Sequence, residues 1–133
     1  MIEFSKNKCL SSSFSMAKKP SIFLQHILES IELIEKRMQD ATKEDLANNI
    51  DLQDMVVRRL EIIGEAVRNL PKEFREKHPE INWKNPADMR SVLIHLYYEV
   101  DIDILWDTIT KDLPSFKNQI QDLISEGTPD LNS

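Results

Sequence analysis

Glycine is nearly absent from this chain of 133 residues, which has only Gly64 and Gly127. Glycine-rich phosphate loops and the dinucleotide-binding fingerprint need several positions without a side chain, so both are excluded. Cysteine is equally scarce, because Cys9 stands alone. A single cysteine provides neither an intrachain disulfide nor a cysteine-based zinc site, which is consistent with a reducing, cytoplasmic compartment. No apolar run approaches the roughly 18 residues that a membrane span needs, so we expect no membrane partner.

An excess of basic charge is also missing, because the formal net charge is -6. Bulk attraction to nucleic acid is therefore absent, and any RNA contact needs a local basic cluster. Arg58, Arg59 and Arg68 either supply such a surface or pair with acidic neighbours on the same helix. Glu61 and Glu65 are four residues apart on one face, and we interpret them as a solvated face in preference to a metal site.

Isoleucine, leucine and methionine recur at helical spacing along most of the chain. This pattern predicts an all-α fold, an antiparallel bundle of four to five helices with short connections. The predicted helical segments are about 21–39, a short piece opened by a capping box at residues 42–45, about 51–69, 72–77, about 87–98, one that begins at Asp101, and a last helix from Pro114 to about Ser125.

The chain divides into one domain and two tails. Residues 1–19 contain the serine run 11–13 and no continuous apolar centre, so we expect a disordered or alternative-start extension and not a signal peptide. Residues 20–127 form the predicted helical domain. Residues 128–133 follow Gly127 and are predicted to be a frayed tail.

One segment, residues 89–98, places polar groups inside an otherwise apolar run. On a helix, its apolar side chains fall on two opposite faces, and a helix that is apolar on two sides is buried on two sides. In a small bundle the second burial is plausibly against another copy of the chain, which predicts a homodimer.

The polar side chains of this segment have a defined geometry on a regular helix. Ser91 and His95 are four residues apart and share a face, and Arg90 and Tyr97 are nearly stacked. Arg90 and His95 are separated by about 140° around the axis. They meet if the helix ends near His95, or if a twofold axis brings Arg90 of one chain to His95 of the other.

Several short stretches together give the chain a family resemblance. They are residues 60–67, 79–83, Met89-Arg90, His95-x-Tyr97, Val100-Asp101, Trp106 and 112–114. With these flanks the chain resembles the HEPN superfamily (higher eukaryotes and prokaryotes nucleotide-binding domain), and within it the HepT-like toxin family. The resemblance extends from about Phe23 to Pro114.

The resemblance implies a dimeric helical bundle and a metal-independent endoribonuclease that needs no cofactor. It implies that Arg90 and His95 of both chains are catalytic and line a cleft at the interface. It also implies a toxin whose antitoxin is a minimal nucleotidyltransferase, which adenylylates Tyr97. The chemistry is reasonable, because an imidazole can move protons near neutrality and a guanidinium can hold a phosphate.

One residue departs from the family pattern. Ser91 stands where the family usually has Asn, Asp or His directly after the arginine. Because Ser91 shares a face with His95, we expect it to orient the imidazole, and its short hydroxyl can still form a hydrogen bond. Weakened or lost nuclease activity is an open alternative, and the chain would then be a non-catalytic nucleotide- or partner-binding subunit of a nucleotidyltransferase. A third interpretation is a helical dimerisation module without a nucleotide ligand.

Two further histidines, His26 and His78, are predicted to be surface or capping residues. No second histidine or cysteine stands at metal-ligand spacing from either of them, so no metal site is predicted.

Overall fold

The computed structural model describes residues 19–86 and 101–127, and every regular element in these two ranges is helical. In chain order the elements are α1 (Pro20–Met38), α2 (Lys43–Asn48), α3 (Ile50–Asn69), α4 (Lys72–Lys77), α5 (Ile102–Asp107), a π-helical segment (Thr108–Asp112) and α6 (Leu113–Ser125). Residues 84–86 add one helical turn. The predicted all-α fold class is therefore confirmed, and dimerisation stays a prediction. The predicted extension up to residue 18, motif helix and tail at 128–133 fall outside the described ranges.

α1 is an amphipathic helix that begins at a proline. Pro20 occupies its first turn, where the missing N–H has no intrahelical partner in any case. Lys36 and Arg37 lie in the last turn, where positive charge complements the helix dipole. The buried apolar side chains of α1 are Leu24, Ile27, Ile31, Ile34 and Met38. Their spacing of three and four residues gives one continuous apolar stripe.

α3 buries a matching stripe and packs against α1. Its larger buried side chains are Leu52, Val56, Leu60, Ile63 and Val67. Each fully buried aliphatic side chain stabilises the fold by about 1.5–3 kcal/mol relative to an exposed one. This helix pair is therefore the principal apolar contact in the described part of the chain.

The short helix α2 is defined by its ends. The Thr42 hydroxyl accepts a hydrogen bond from the Asp45 backbone N–H at 3.1 Å, and the Asp45 carboxylate accepts one from the Thr42 N–H at 2.9 Å. This reciprocal pair confirms the predicted capping box. Asn49 then caps α3 by accepting a hydrogen bond from the Leu52 N–H at 3.0 Å. The Gln53 side chain donates to the Leu46 carbonyl at 2.8 Å and ties α2 to α3.

Residues 102–125 form one helical run with a π-helical segment at its centre. The Leu113 N–H donates to the Thr108 carbonyl, five residues back. Pro114 explains the widening, because its ring would clash with the Thr110 carbonyl in a regular α-helix and it has no N–H to donate. We predicted a new helix at Pro114. This prediction is confirmed by α6 (Leu113–Ser125), which has Pro114 in its first turn and follows the π-helical segment without a break.

The buried apolar residues belong to one cluster that extends from α1 to α6. α6 packs on α1, and the Lys117 ammonium lies 2.7 Å from the Glu35 carboxylate across that contact. Within residues 19–86 and 101–127, no helix combines the length and the apolar character required to cross a membrane.

Candidate functional site

The four residues predicted to form the site, Arg90, Ser91, His95 and Tyr97, lie within residues 87–100, outside the described ranges. Their roles therefore stay predictions. The structure does describe the two chain segments to which this stretch is joined, one ending at Pro86 and the other beginning at Asp101. We call these two segments the anchors of the motif.

The first anchor is a capped helical turn. The Asn82 side-chain oxygen accepts a hydrogen bond from the Asn85 backbone N–H at 3.1 Å. Residues 84–86 are helical, so this bond satisfies a donor that has no partner inside the helix. The chain therefore enters the motif from a defined helical start.

An aromatic cluster fixes the first anchor to the core. The Trp83 indole N–H donates to the His78 carbonyl at 3.1 Å. The Trp83 ring packs against Phe74 and Phe116, with ring centroids 6.2 and 6.0 Å apart. Trp83 is buried, and its single polar atom is satisfied, as a buried indole requires. The rigid indole therefore holds residues 78–86 against α6.

The second anchor is the start of α5. The Asp101 carboxylate accepts a hydrogen bond from the Ile104 N–H at 3.1 Å and so caps the helix. Next to it, Lys43 of α2 pairs with Asp103. The hydrogen bond to Asp103 raises the pKa of Lys43, with further attraction from Asp107 and Asp101. The charged form is thus favoured in the fold, at an exposed position.

A cavity of about 330 Å³ adjoins the first anchor. Among the described residues, its apolar walls come from Leu60 and Ile63 of α3 and from Leu113 and Phe116 of α6. Its polar lining includes Asn82, Asn85, Lys111, Asp112, Ser115 and Gln119. We call this space the amide-lined cavity. It is near the lower end of the size range of small-molecule sites in proteins.

The cavity residues were not singled out from the sequence. They come from three segments that are far apart in the chain, so no local motif reports them. One signal was present: Thr108, Lys111, Ser115 and Gln119 recur at helical spacing and form a polar stripe along the cavity lining. Thr108 is buried and Gln119 is half-buried, whereas Lys111 and Ser115 are exposed, so the stripe runs from the core to the surface.

The histidines outside the motif have the structural roles that were predicted. His26 is exposed on α1, with its ring edge toward Phe23 at 6.5 Å between centroids. His78 ends α4, where its N–H donates to the Arg75 carbonyl and its ring lies 4.8 Å from Phe74. These two predictions are confirmed.

The charged residues of α3 face a second, polar groove beside α1. The Arg58 guanidinium lies 3.8 Å from the Glu61 carboxylate, a loose pair one helical turn apart. Arginine pairing with an acidic neighbour on the helix was one of the two predicted alternatives. No three histidine, cysteine, aspartate or glutamate side chains in the described ranges are grouped so as to hold a metal ion.

The fold is an all-helical bundle, with a predicted polar motif held between two capped anchors. The sequence model of the Ribonuclease HepT-like family matches residues 27–123, most of the chain. The chain belongs to this family, as its resemblance to HepT-like proteins predicted. No solved structure is significantly similar to it.

Curated relatives have comparable sequences. A Methanocaldococcus jannaschii protein, named as a gamma-glutamylcyclotransferase and provisionally as an RNase, is 50% identical over 111 residues, which are 84% of this chain and 50% of that protein. A provisionally named RNase of Caldanaerobacter subterraneus subsp. tengcongensis is 44% identical over 109 residues, 82% and 97% of the two chains. A provisionally named ribonuclease HepT of Thermococcus cleftensis is 43% identical over 108 residues, 81% and 98%. The chain therefore spans half of the first relative and nearly all of the other two.

Proposed function

We propose that the protein is a metal-independent endoribonuclease that cuts RNA in a cleft between two copies of the chain. The observation that carries this proposal is the match to the HepT-like family over residues 27–123, a range that includes Arg90, His95 and Tyr97. Two relatives that are named as RNases align with this chain over nearly their whole length, which supports the same activity.

The proposed reaction uses the ribose as its own nucleophile. A base removes the proton of the 2′-hydroxyl, the 2′-oxygen attacks the adjacent phosphorus, and the bond from phosphorus to the 5′-oxygen breaks. The leaving 5′-oxygen takes a proton from an acid, which leaves a 2′,3′-cyclic phosphate and a 5′-hydroxyl end. Two copies of His95 in one cleft supply the base and the acid. Arg90 stabilises the added charge on the phosphate oxygens.

We further propose that the protein is the toxin of a toxin–antitoxin pair and that its antitoxin is a minimal nucleotidyltransferase. The antitoxin transfers AMP to the Tyr97 hydroxyl, and pyrophosphate leaves from ATP. The added phosphate brings bulk and negative charge next to Arg90, so it competes with the RNA phosphate for the guanidinium.

A second function has two observations in its favour. Ser91 departs from the family's usual residue after the arginine, and the net charge of -6 gives RNA no general attraction. Both features favour a non-catalytic subunit that presents Tyr97 or a nucleotide pocket to a nucleotidyltransferase. The two functions differ in whether the purified protein cuts RNA.

The decisive experiment is cleavage of labelled single-stranded RNA in the presence of EDTA. We expect the wild type to cut and to leave 2′,3′-cyclic phosphate ends, and His95→Ala and Arg90→Ala to lose about 100-fold or more in rate. His26→Ala is the matched control, because His26 is exposed on α1 and makes only an edge contact with Phe23. Circular dichroism checks that each variant is folded.

The same samples separate the alternatives. A folded wild type that does not cut RNA, but gains the mass of AMP on Tyr97 when co-expressed with a nucleotidyltransferase, supports the binding-subunit function. Equal cleavage by His95→Ala and the wild type contradicts the proposed catalytic role. A monomeric mass in light scattering contradicts a shared cleft.

A further inference from the structure

The amide-lined cavity is a built space with separated apolar and polar walls. Leu60, Ile63 and Phe116 line its apolar side. Phe116 is itself fixed by an edge contact with Trp83, so this side does not collapse easily. A preformed apolar wall of this kind accepts the face of a flat ring, which is how proteins hold unstacked RNA bases.

The polar side of the cavity offers hydrogen-bonding groups that are not in use. The Asn85 side-chain amide and the Ser115 hydroxyl make no hydrogen bond with any residue of the described ranges. Gln119 donates one long bond of 3.4 Å to the Glu80 carbonyl, which leaves its side-chain oxygen available. Each amide combines a donor and an acceptor, the pair that a nucleobase edge needs. Asn and Gln amides form a bidentate pair with adenine, in which the amide oxygen accepts from the N6 amino group and the amide nitrogen donates to N7.

A cation stands at the edge of the same cavity. The Lys111 ammonium lies 3.4 Å from the Asp107 carboxylate, and both side chains are largely exposed. An exposed ion pair of this kind is weak and exchanges readily. Lys111 can therefore contact a phosphate attached to a base that occupies the cavity. Asp112 also lines the cavity, so Lys111 supplies a single cation for a phosphate contact and not a positively charged surface.

The cavity is close to the predicted catalytic residues along the chain. Pro86 lines the cavity, and Arg90 follows it by four residues. Four residues of chain span at most about 14 Å. A short stretch of chain therefore joins the cavity lining to the predicted catalytic arginine.

We propose that the amide-lined cavity is a base-recognition subsite, which takes one unstacked base, preferably adenine, of the single-stranded RNA that the protein cuts. Asn85 and Gln119 read the edge of the base, its face lies on the apolar wall, and Lys111 holds its phosphate. This inference rests on the proposed ribonuclease function. It would explain why the protein prefers certain RNA sequences and cuts them near an adenine.

Binding to the uncleaving His95→Ala protein tests the subsite directly. The probes are fluorescent oligouridines that carry one central A, C, G or U. We expect the adenine probe to bind at least about 10-fold more tightly than the uridine probe. Asn85→Ala and Gln119→Ala, each in the His95→Ala background, should remove this preference. Gln121→Ala is the matched control, because Gln121 is exposed on the same helix and lies outside the cavity lining.

The contribution of Lys111 has a different signature. Lys111→Ala should weaken all four probes to a similar degree and should reduce the salt dependence of binding, because a phosphate contact carries no base information. Lys36→Ala is the control, since Lys36 is exposed on α1 away from the cavity.

The outcomes for the subsite and for the ribonuclease are separable. Equal binding of all four probes, or equal probe preference in Gln119→Ala and Gln121→Ala, overturns the subsite, even if the wild type cuts RNA. A wild type that never cuts RNA overturns the ribonuclease, even if Gln119→Ala loses adenine preference. Both proposals are supported if Gln119→Ala loses the adenine preference in binding and, with His95 intact, cuts RNA at positions different from those that the wild type cuts.

Discussion

The contact between α1 and α3 differs from the region around the first anchor in regularity and in the kind of side chain that is buried. α1 and α3 are regular helices in contact with each other, and their buried side chains are almost all apolar, with Ser30 as the polar exception. The anchor region combines a capped turn, an aromatic cluster, a π-helical segment and a polar stripe. In the first region, regular apolar packing stabilises the fold. The second region is irregular and lines the amide-lined cavity, whose lining includes Pro86, the last described residue before the predicted motif.

The π-helical segment is the clearest sign of this difference. Single-turn π segments inside helices are rare and often occur at functional sites. The Thr108 and Thr110 hydroxyls both donate to carbonyls four residues back at 2.8 Å, which bends a helix. Pro114 then prevents a return to regular α-helical geometry at that point. The cavity lies along this altered stretch.

The largest expected effect comes from the regular region. Ile27 is fully buried in α1, so Ile27→Ala should lower the free energy of unfolding by about 2–5 kcal/mol, because it leaves a cavity in the core. Leu33 on the same helix is 44% exposed, so Leu33→Ala is the matched control and should cost much less. Urea unfolding measures both variants. Similar losses for the two would show that the α1 stripe is not the stabilising face.

An effect of intermediate size on stability is expected at the first anchor. Trp83→Phe removes the hydrogen bond to the His78 carbonyl and part of the ring contact with Phe116. We expect a loss of about 1–3 kcal/mol in unfolding free energy. If the anchor positions the cavity, the same variant also lowers adenine preference, whereas Ile27→Ala does not. Fluorescence anisotropy on folded samples makes this comparison, and an unchanged preference in Trp83→Phe would separate the anchor from the cavity.

The smallest effect is a pH dependence at the second anchor. The pKa of Lys43 is raised by its hydrogen bond to Asp103. A raised pKa means that this contribution is fully present below the unfolded value of 10.5 and is lost as the pH rises through the folded pKa. The difference in Tm between wild type and Lys43→Met should therefore be constant near pH 8–10 and shrink at higher pH. Because the pair is exposed, salt should also reduce it. A difference that grows above pH 10.5 would contradict this assignment.

Local signals predicted most of the described helices. The Thr42–Asp45 capping box was readable because both partners lie within one turn, and Asp101 marked the start of α5 for the same reason. The apolar spacing in α1 and α3 located the helices to within a residue or two. Pro114 correctly marked the first turn of α6, but it did not indicate the π-helical segment before it, because proline is compatible both with a new helix and with a π-widened run.

The candidate site was predicted at the level of chemistry and not of geometry. Arg90, His95, Ser91 and Tyr97 were selected as polar residues in an apolar segment and by their family resemblance, and their placement stays a prediction. The amide-lined cavity could not be found in this way. Asn85 and Gln119 are 34 residues apart, and the polar stripe that contains Gln119 gives no indication of Asn85.

The amino-acid sequence by itself determined the helical class, the extent of α1 and α3 and the caps of α2 and α5. These depend on contacts between residues within a few positions of one another, which any short stretch of chain carries with it. Only the tertiary structure decided that a helical run continues through Pro114 and that residues 82–86 meet α3 and α6 around a cavity. Such contacts form because distant apolar side chains are buried together, and the polar groups brought along with them acquire neighbours that no local pattern specifies.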